Sequence, residues 1–205
     1  MSAPSWQLEE ARPAWYLEPE PRIKQVRATI YRSTLAVPEL IERAVDDGTA
    51  TLDMRFAVFN RWQEIDNAAE GHFLERIAPG AFAKTIRENL ANVKAVLSHG
   101  MDRSLGQTVL GKVLSIQEDA DAATARVGLF GSVPALLLDG LRAGVYGASF
   151  RGDALKNRID RRPPKSERNP LGLTEVTRLE IRLKDIGPTP FAAYSETSST
   201  IGGIE

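Results

Sequence analysis

The chain has no cysteine and only two histidines in 205 residues. The first absence removes disulfides, thiolate metal sites and cysteine nucleophiles together, and it fits a reducing compartment. The second leaves His72 and His99 as the only imidazoles available for general-base chemistry. No apolar run approaches the length of a bilayer-spanning helix. The N-terminus MSAPSWQLEEARPAWYLEPEPR lacks the positive start and apolar stretch of a secretory signal, so a cytoplasmic protein is expected. No excess of one charge exists either. A formal net charge of −1 gives no overall pull toward nucleic acid or an anionic membrane. Phosphate loops and dinucleotide fingerprints are missing as well. What is present is 42% hydrophobic residues in a chain of single-domain length, enough for a core of useful size.

Residues 1–21 carry four prolines among Glu and Ala, with Trp6, Trp15 and Tyr16 scattered through them; they read as a mobile arm. RIKQVRATIY reads as a strand, PELIERAVDDG as a short helix ending at Gly48, and TLDMRFAVFN as a strand of period two. A polar loop holding His72 follows. PGAFAKTIRENLAN spaces Phe82, Ile86 and Leu90 for an amphipathic helix. VKAVLS is a short buried strand leading to His99. VLGKVLSIQED and ATARVGLFG form a hairpin around ADA. SVPALLLDGLRAG has a Ser cap, an early Pro and a Gly stop, and so reads as a helix. VYGASFRG is a strand. Residues 153–171 are basic, proline-containing and irregular, which predicts a solvated flexible loop, although a basic surface for nucleic acid or an acidic tail is the alternative. LTEVTRLEIRLKDIG alternates as a long final strand. The expected class is α+β and β-rich. The expected organisation is an arm at 1–21, one domain at 22–197 and a tail at 198–205.

Ser149 stands in AGVYGASFR, a lone hydroxyl among small and apolar neighbours. It is either a small residue packed in a strand or a nucleophile. A nucleophilic serine needs a base, an acid that orients the base, and donors for the oxyanion. His99, at the end of a buried strand, is the candidate base. Asp185, Glu180 and Glu175 are the candidate acids. Glu180 has parity opposite to both Glu175 and Asp185, so a regular strand turns it to the other face from those two, unless a bulge intervenes. The pair His72 and Glu75 has no third ligand beside it to make a metal site.

Taken in order, FAVFN, ERIAPGAFAKTI, VKAVLSHGMDRSLGQTVLGKV, LRAGVYGASFRG and LKDIGPTPFAAYSET resemble the prohead (capsid-maturation) serine proteases of tailed bacteriophages, over roughly residues 54–197. E-R-I-x-P-G-A-F is the most specific piece. The resemblance implies a β-barrel-like core wrapped by helices, similar to the herpesvirus assembly proteases. It implies Ser149 as nucleophile, His99 as base and Asp185 as acid. The chain departs from the family pattern in having Asp where Glu is usual, Pro190 displaced before AAY, and FRG after the serine. Arg151 then becomes a candidate for oxyanion or substrate binding, as does the Gly100 turn, while a plain surface charge remains open for Arg151. No metal or organic cofactor is implied. The implied substrates are the major capsid protein with its scaffold segment and the protease's own ends. The implied location is the assembling prohead in the host bacterial cytoplasm, with a homo-oligomeric state, no membrane and no specific nucleic acid. Two other classes stay open: a non-catalytic assembly scaffold of the same fold, and a hydrolase of small esters or amides.

Overall fold

The computed structural model describes residues 29–34, 38–42 and 50–190; the expected arm at 1–21 and tail at 198–205 lie outside them. The described chain is mostly strand, with few helices. In order it forms β1 (Thr29–Thr34), β2 (Glu39–Glu42), β3 (Ala50–Val58), β4 (Gln63–Asn67), β5 (Gly71–Ile77), α1 (Ala83–Asn89), β6 (Lys94–Val96), β7 (Val109–Glu118), β8 (Ala122–Leu129), α2 (Ala135–Arg142), β9 (Gly147–Asp160) and β10 (Glu175–Thr189). The strands make one curled, half-barrel sheet in the order β1-β9-β10-β6-β7-β8-β3-β2, with β5 also on β10 and β4 on β5.

β10 is the hub. It runs antiparallel to β9 along nearly its whole length. It takes β5 in parallel at its start, Glu175 beside Leu74, and β6 in parallel near its end, Asp185 beside Lys94. Residues 78–93 therefore cross from one end of β10 to the other, and α1 lies on the crossing. The PGAF turn begins it. Gly80 adopts φ +83°, a left-handed value that glycine reaches without steric cost. The Ala81 carbonyl then accepts from Ile181 N at 2.8 Å. Thr85 Oγ1 donates to the Ile181 carbonyl and accepts from Leu183 N, both at 3.1 Å, and so satisfies β10 next to its register shifts. Glu118 of β7 accepts from Phe82 N at 3.0 Å, placing a carboxylate at the N-terminal end of α1.

Phe82 enters the core between Phe56 and Phe150, with ring centroids 5.3 and 5.2 Å away in edge-to-face packing. All three are fully buried. The aromatic of PGAF thus backs directly onto the residue that follows Ser149.

Four expectations are corrected. Residues 39–42 are a strand rather than the start of a helix, because β2 pairs antiparallel with β3 from Glu39–Asp53 to Glu42–Ala50; residues 43–49 lie outside the described chain. The polar stretch around His72 is a hairpin of β4 and β5, whose second strand extends the sheet through β10. The start of the basic segment is also strand, since β9 continues to Asp160 against Glu175. Its remainder is anchored: Asn169 is buried and bonds Leu173 through both its amide groups at 2.8 Å, and Arg168 stacks on Trp62 at 4.7 Å. Lastly, α2 has Pro134 at its N-cap and no side-chain cap, so Ser132 does not cap it.

Candidate active site

Ser149 sits in β9 directly between Ser33 of β1 and Gly187 of β10. Two residues on, Arg151 sits between Tyr31 and Asp185. Alternate residues of a strand share a face, and directly opposed partners share it too. These six residues therefore line one face of the sheet. Phe150 points the other way, into the core.

His99 reaches that face from β6. Leu97–Gly100 forms a tight, kinked turn in which Ser98, His99 and Gly100 have φ of 47°, 57° and 78°. Three successive left-handed residues are costly for side chains other than glycine, about 1 kcal/mol or more each. The turn carries the imidazole back over β10. There His99 Nδ1–H donates to Asp185 Oδ1 at 2.7 Å. An ionised carboxylate only accepts, so the proton belongs on Nδ1 and the Nε2 lone pair is left free in the neutral ring. Arg151 Nε donates to the other oxygen, Asp185 Oδ2, at 2.6 Å, and its Nη2 pairs with the same oxygen. The Tyr31 ring packs edge-on against His99 at 5.3 Å, and the Arg151 guanidinium lies 5.9 Å from the Tyr31 ring centre. Burial disfavours the Arg151 charge, but Tyr31 and Asp185 outweigh it and hold the guanidinium above the ordinary arginine range.

The face is well covered. Asp185 and Ser149 are 1% exposed and His99 is 8% exposed. The Ser149 hydroxyl donates to the Gly187 carbonyl at 3.2 Å; among the described residues it makes no hydrogen bond to His99.

The structure thus brings His99, Asp185 and Arg151 into contact and puts Ser149 on the same face. The other expected acids lie elsewhere. Glu180 pairs with Lys156 at 2.7 Å and Lys84 at 3.4 Å, and the Lys156 hydrogen bond is the leading cause that keeps its carboxyl below the usual range. Glu175 pairs with Arg168 at 2.7 Å and Asn169 at 3.2 Å. Register shifts at Arg178/Glu180, Glu180/Ile181 and Leu183/Asp185 are the bulges that override simple parity between these acids. Gly100 faces Gln107, whose Cγ would stand 2.9 Å from a β-carbon there. His72 and Glu75 diverge: His72 Nε2 meets Glu64 at 2.6 Å, while Glu75 turns inward to Arg32 and Arg178. Among the described residues no group of three or more His, Asp or Glu is arranged to hold a metal ion, and no helix is long and apolar enough to cross a membrane.

Two residues of the site escape a reading of the sequence. Tyr31 and Gly187 carry no local signal, since both matter through neighbours distant in the chain. Glu75 stands inside E-R-I-x-P-G-A-F, and its role is to bind two buried guanidiniums. The destination of Arg151, by contrast, is implicit in its spacing of two from Ser149.

A family model described as caudovirus prohead serine protease matches residues 39–202. The chain belongs to that family. It is a serine protease, a peptide-bond hydrolase, with a role in capsid maturation. The membership decides against the scaffold and small-ester readings. Among solved structures, the bacteriophage T4 capsid assembly protease is similar with a TM-score of 0.48 and 11% identity, over 78% of this chain and 96% of that chain. Among curated proteins no sequence matches this protease.

Proposed function

We propose that this protease cleaves through a Ser149–His99–Asp185 triad, and that its substrates are the scaffold segment of the major capsid protein and its own ends. The observation that carries the reading is the buried 2.7 Å bond between His99 Nδ1 and Asp185 Oδ1, made on the strand face that holds Ser149. The hydroxyl turns from the Gly187 carbonyl toward His99, a side-chain rotation of the kind that unliganded sites commonly require. His99 Nε2 takes the Ser149 proton as Oγ bonds to the substrate carbonyl carbon. The imidazolium, held by Asp185, then gives that proton to the departing amine as the C–N bond breaks. Water attacks the acyl-enzyme, His99 accepts its proton, and the Ser149 hydroxyl is restored as the new carboxyl leaves. The curled sheet is read as the architecture of the herpesvirus assembly proteases. Cleavage takes place inside the assembling prohead in the host cytoplasm, where enzyme and substrate are concentrated, and the enzyme works as a homo-oligomer.

The test is co-expression with the major capsid protein of the same phage, read by intact mass of both chains. Wild type is expected to shorten the capsid protein, itself or both, and Ser149→Ala to leave both at full length. Equal trimming by the Ser149→Ala variant removes Ser149 as nucleophile.

A further inference from the structure

We propose that Arg151 is a positioning residue for the triad acid: it grips one oxygen of Asp185 so that the other stays on His99, and Tyr31 holds the guanidinium in place. The inference rests on the triad reading above and deepens it. A carboxylate has two equivalent oxygens and rotates freely unless both are held. Here Nε and Nη2 of Arg151 both address Oδ2, while His99 Nδ1 addresses Oδ1 alone. The partition is a consequence of the strands. Tyr31, Arg151 and Asp185 stand side by side across β1, β9 and β10, so the guanidinium approaches from one side of the carboxylate and the imidazole from the other.

The Nε–H and the Nη2 of Arg151 are both directed at Asp185. Arginine suits the task better than lysine, because its planar fork can present two donors to one oxygen at fixed geometry. Tyr31 supplies the third wall. Its ring meets both the imidazole edge and the guanidinium, and at 45% exposed it is the open side of an otherwise covered cluster. The groups facing His99 are then Asp185 from β10 and Tyr31 from β1, with Arg151 of β9 and Lys94 of β6 beside Asp185.

Removing the guanidinium frees Asp185 to turn, so Oδ1 is no longer kept on His99 Nδ1 and the imidazole loses the partner that fixes its tautomer. The chain has only two histidines, which makes this measurable directly. The ring nitrogens of His99 and His72 would be followed by NMR of histidine-labelled full-length wild type, Arg151→Gln and Arg151→Lys. In parallel, the rate at which a fluorophosphonate labels Ser149 would be read by intact mass, with Ser149→Ala as the blank. Arg151→Gln should turn the His99 ring signals from one tautomer to a mixture and slow labelling at least 10-fold. Arg151→Lys should restore the His99 signals while recovering the rate only in part, and His72 should not change. An Arg151→Gln protein whose His99 ring signals match wild type overturns the proposal while leaving the triad intact. Failure of wild type to label at Ser149 overturns the triad and this proposal with it. Should Arg151→Gln not fold, the Arg151→Lys rate decides, since a rate equal to wild type means that the fork is not used.

Discussion

Gly187 lies against the carbonyl of Val96 so closely that a β-carbon on it would stand 1.8 Å from the oxygen. β6 and β10 run parallel there, and Val96 is the last residue before the turn that carries His99. The glycine lets that turn descend onto the face shared by Ser149 and Asp185. Gly187→Ala must push β6 outward, because the obstructing atoms are backbone. The expected result is a loss of about 1–3 kcal/mol in stability, the usual range for overpacking, with activity falling at least 100-fold because the imidazole moves with the strand. Denaturant unfolding alongside Ser149 labelling checks both. Near-normal labelling would mean that His99 is positioned independently of β6.

Ser98 has φ 47° and ψ 37°, and it immediately precedes His99 in the same left-handed turn. Two terms compete on substitution by glycine. Relief of the left-handed penalty is worth about 1–2 kcal/mol, and the added freedom of the unfolded chain costs about 0.4–1 kcal/mol. Relief wins narrowly, so Ser98→Gly should gain about 0.5 kcal/mol. Ser98→Val should lose more than 1 kcal/mol, because a β-branched residue fits that region worst. Opposite signs for the two variants in thermal unfolding are the expected signature; losses of the same sign would show that the Ser98 hydroxyl matters more than its backbone.

Much of this fold is legible in the sequence, and the failures have a common cause. The period-two run Leu52, Met54, Phe56 announces β3, and the PGAF start with Phe82 and Ile86 announces α1, because each pattern reports local burial. Ser149 and His99 stand out as candidates because residue type carries their chemistry, and Asp185 is singled out from Glu180 and Glu175 only by the order of the motifs in the resemblance. Glu39–Glu42 and Gln63–Ile77 were not readable as strands. Their extended backbone is imposed by partners, β3 for the former and β10 through β5 for the latter, against polar or helix-permitting composition. Which of Glu175, Glu180 and Asp185 meets His99 was equally closed to a parity argument, since the register shifts between them arise from pairing with β9.

Glu75 is held between Arg32 of β1 and Arg178 of β10, with a further bond from Arg32 Nη2 at 3.0 Å. All three are buried. Removing one partner of a buried ion pair costs about 3–5 kcal/mol, because the remaining charge keeps its desolvation penalty. Glu70 also accepts from Arg32, at 2.8 and 3.0 Å, and offsets part of the loss. Glu75→Gln should therefore cost about 3 kcal/mol in denaturant unfolding. A loss below about 1 kcal/mol would mean that Glu70 alone neutralises both guanidiniums.

Asp153 gives the stability of the fold a defined acid dependence. Burial disfavours its charge, but hydrogen bonds from Arg182 at 2.6 Å, Lys184 at 2.6 Å and Thr29 at 2.9 Å prevail and lower its carboxyl from 3.8 to about 2. A depressed acid contributes stability that is fully present above its unfolded value and is lost as pH falls through the folded one. The window here is pH 3.8 down to about 2. The full shift corresponds to about 2 kcal/mol. Arg182 and Lys184 are 47% and 40% exposed, so solvent screening reduces this to about 1 kcal/mol. Asp153→Asn should be less stable than wild type by that amount at pH 5–7, and most of the gap should close by pH 2, where half of the folded wild-type carboxyl is protonated. Raising the salt to 1 M at pH 7 should narrow it as well. A gap that persists unchanged at pH 2 would assign the role of Asp153 to packing and hydrogen-bond shape, not to charge.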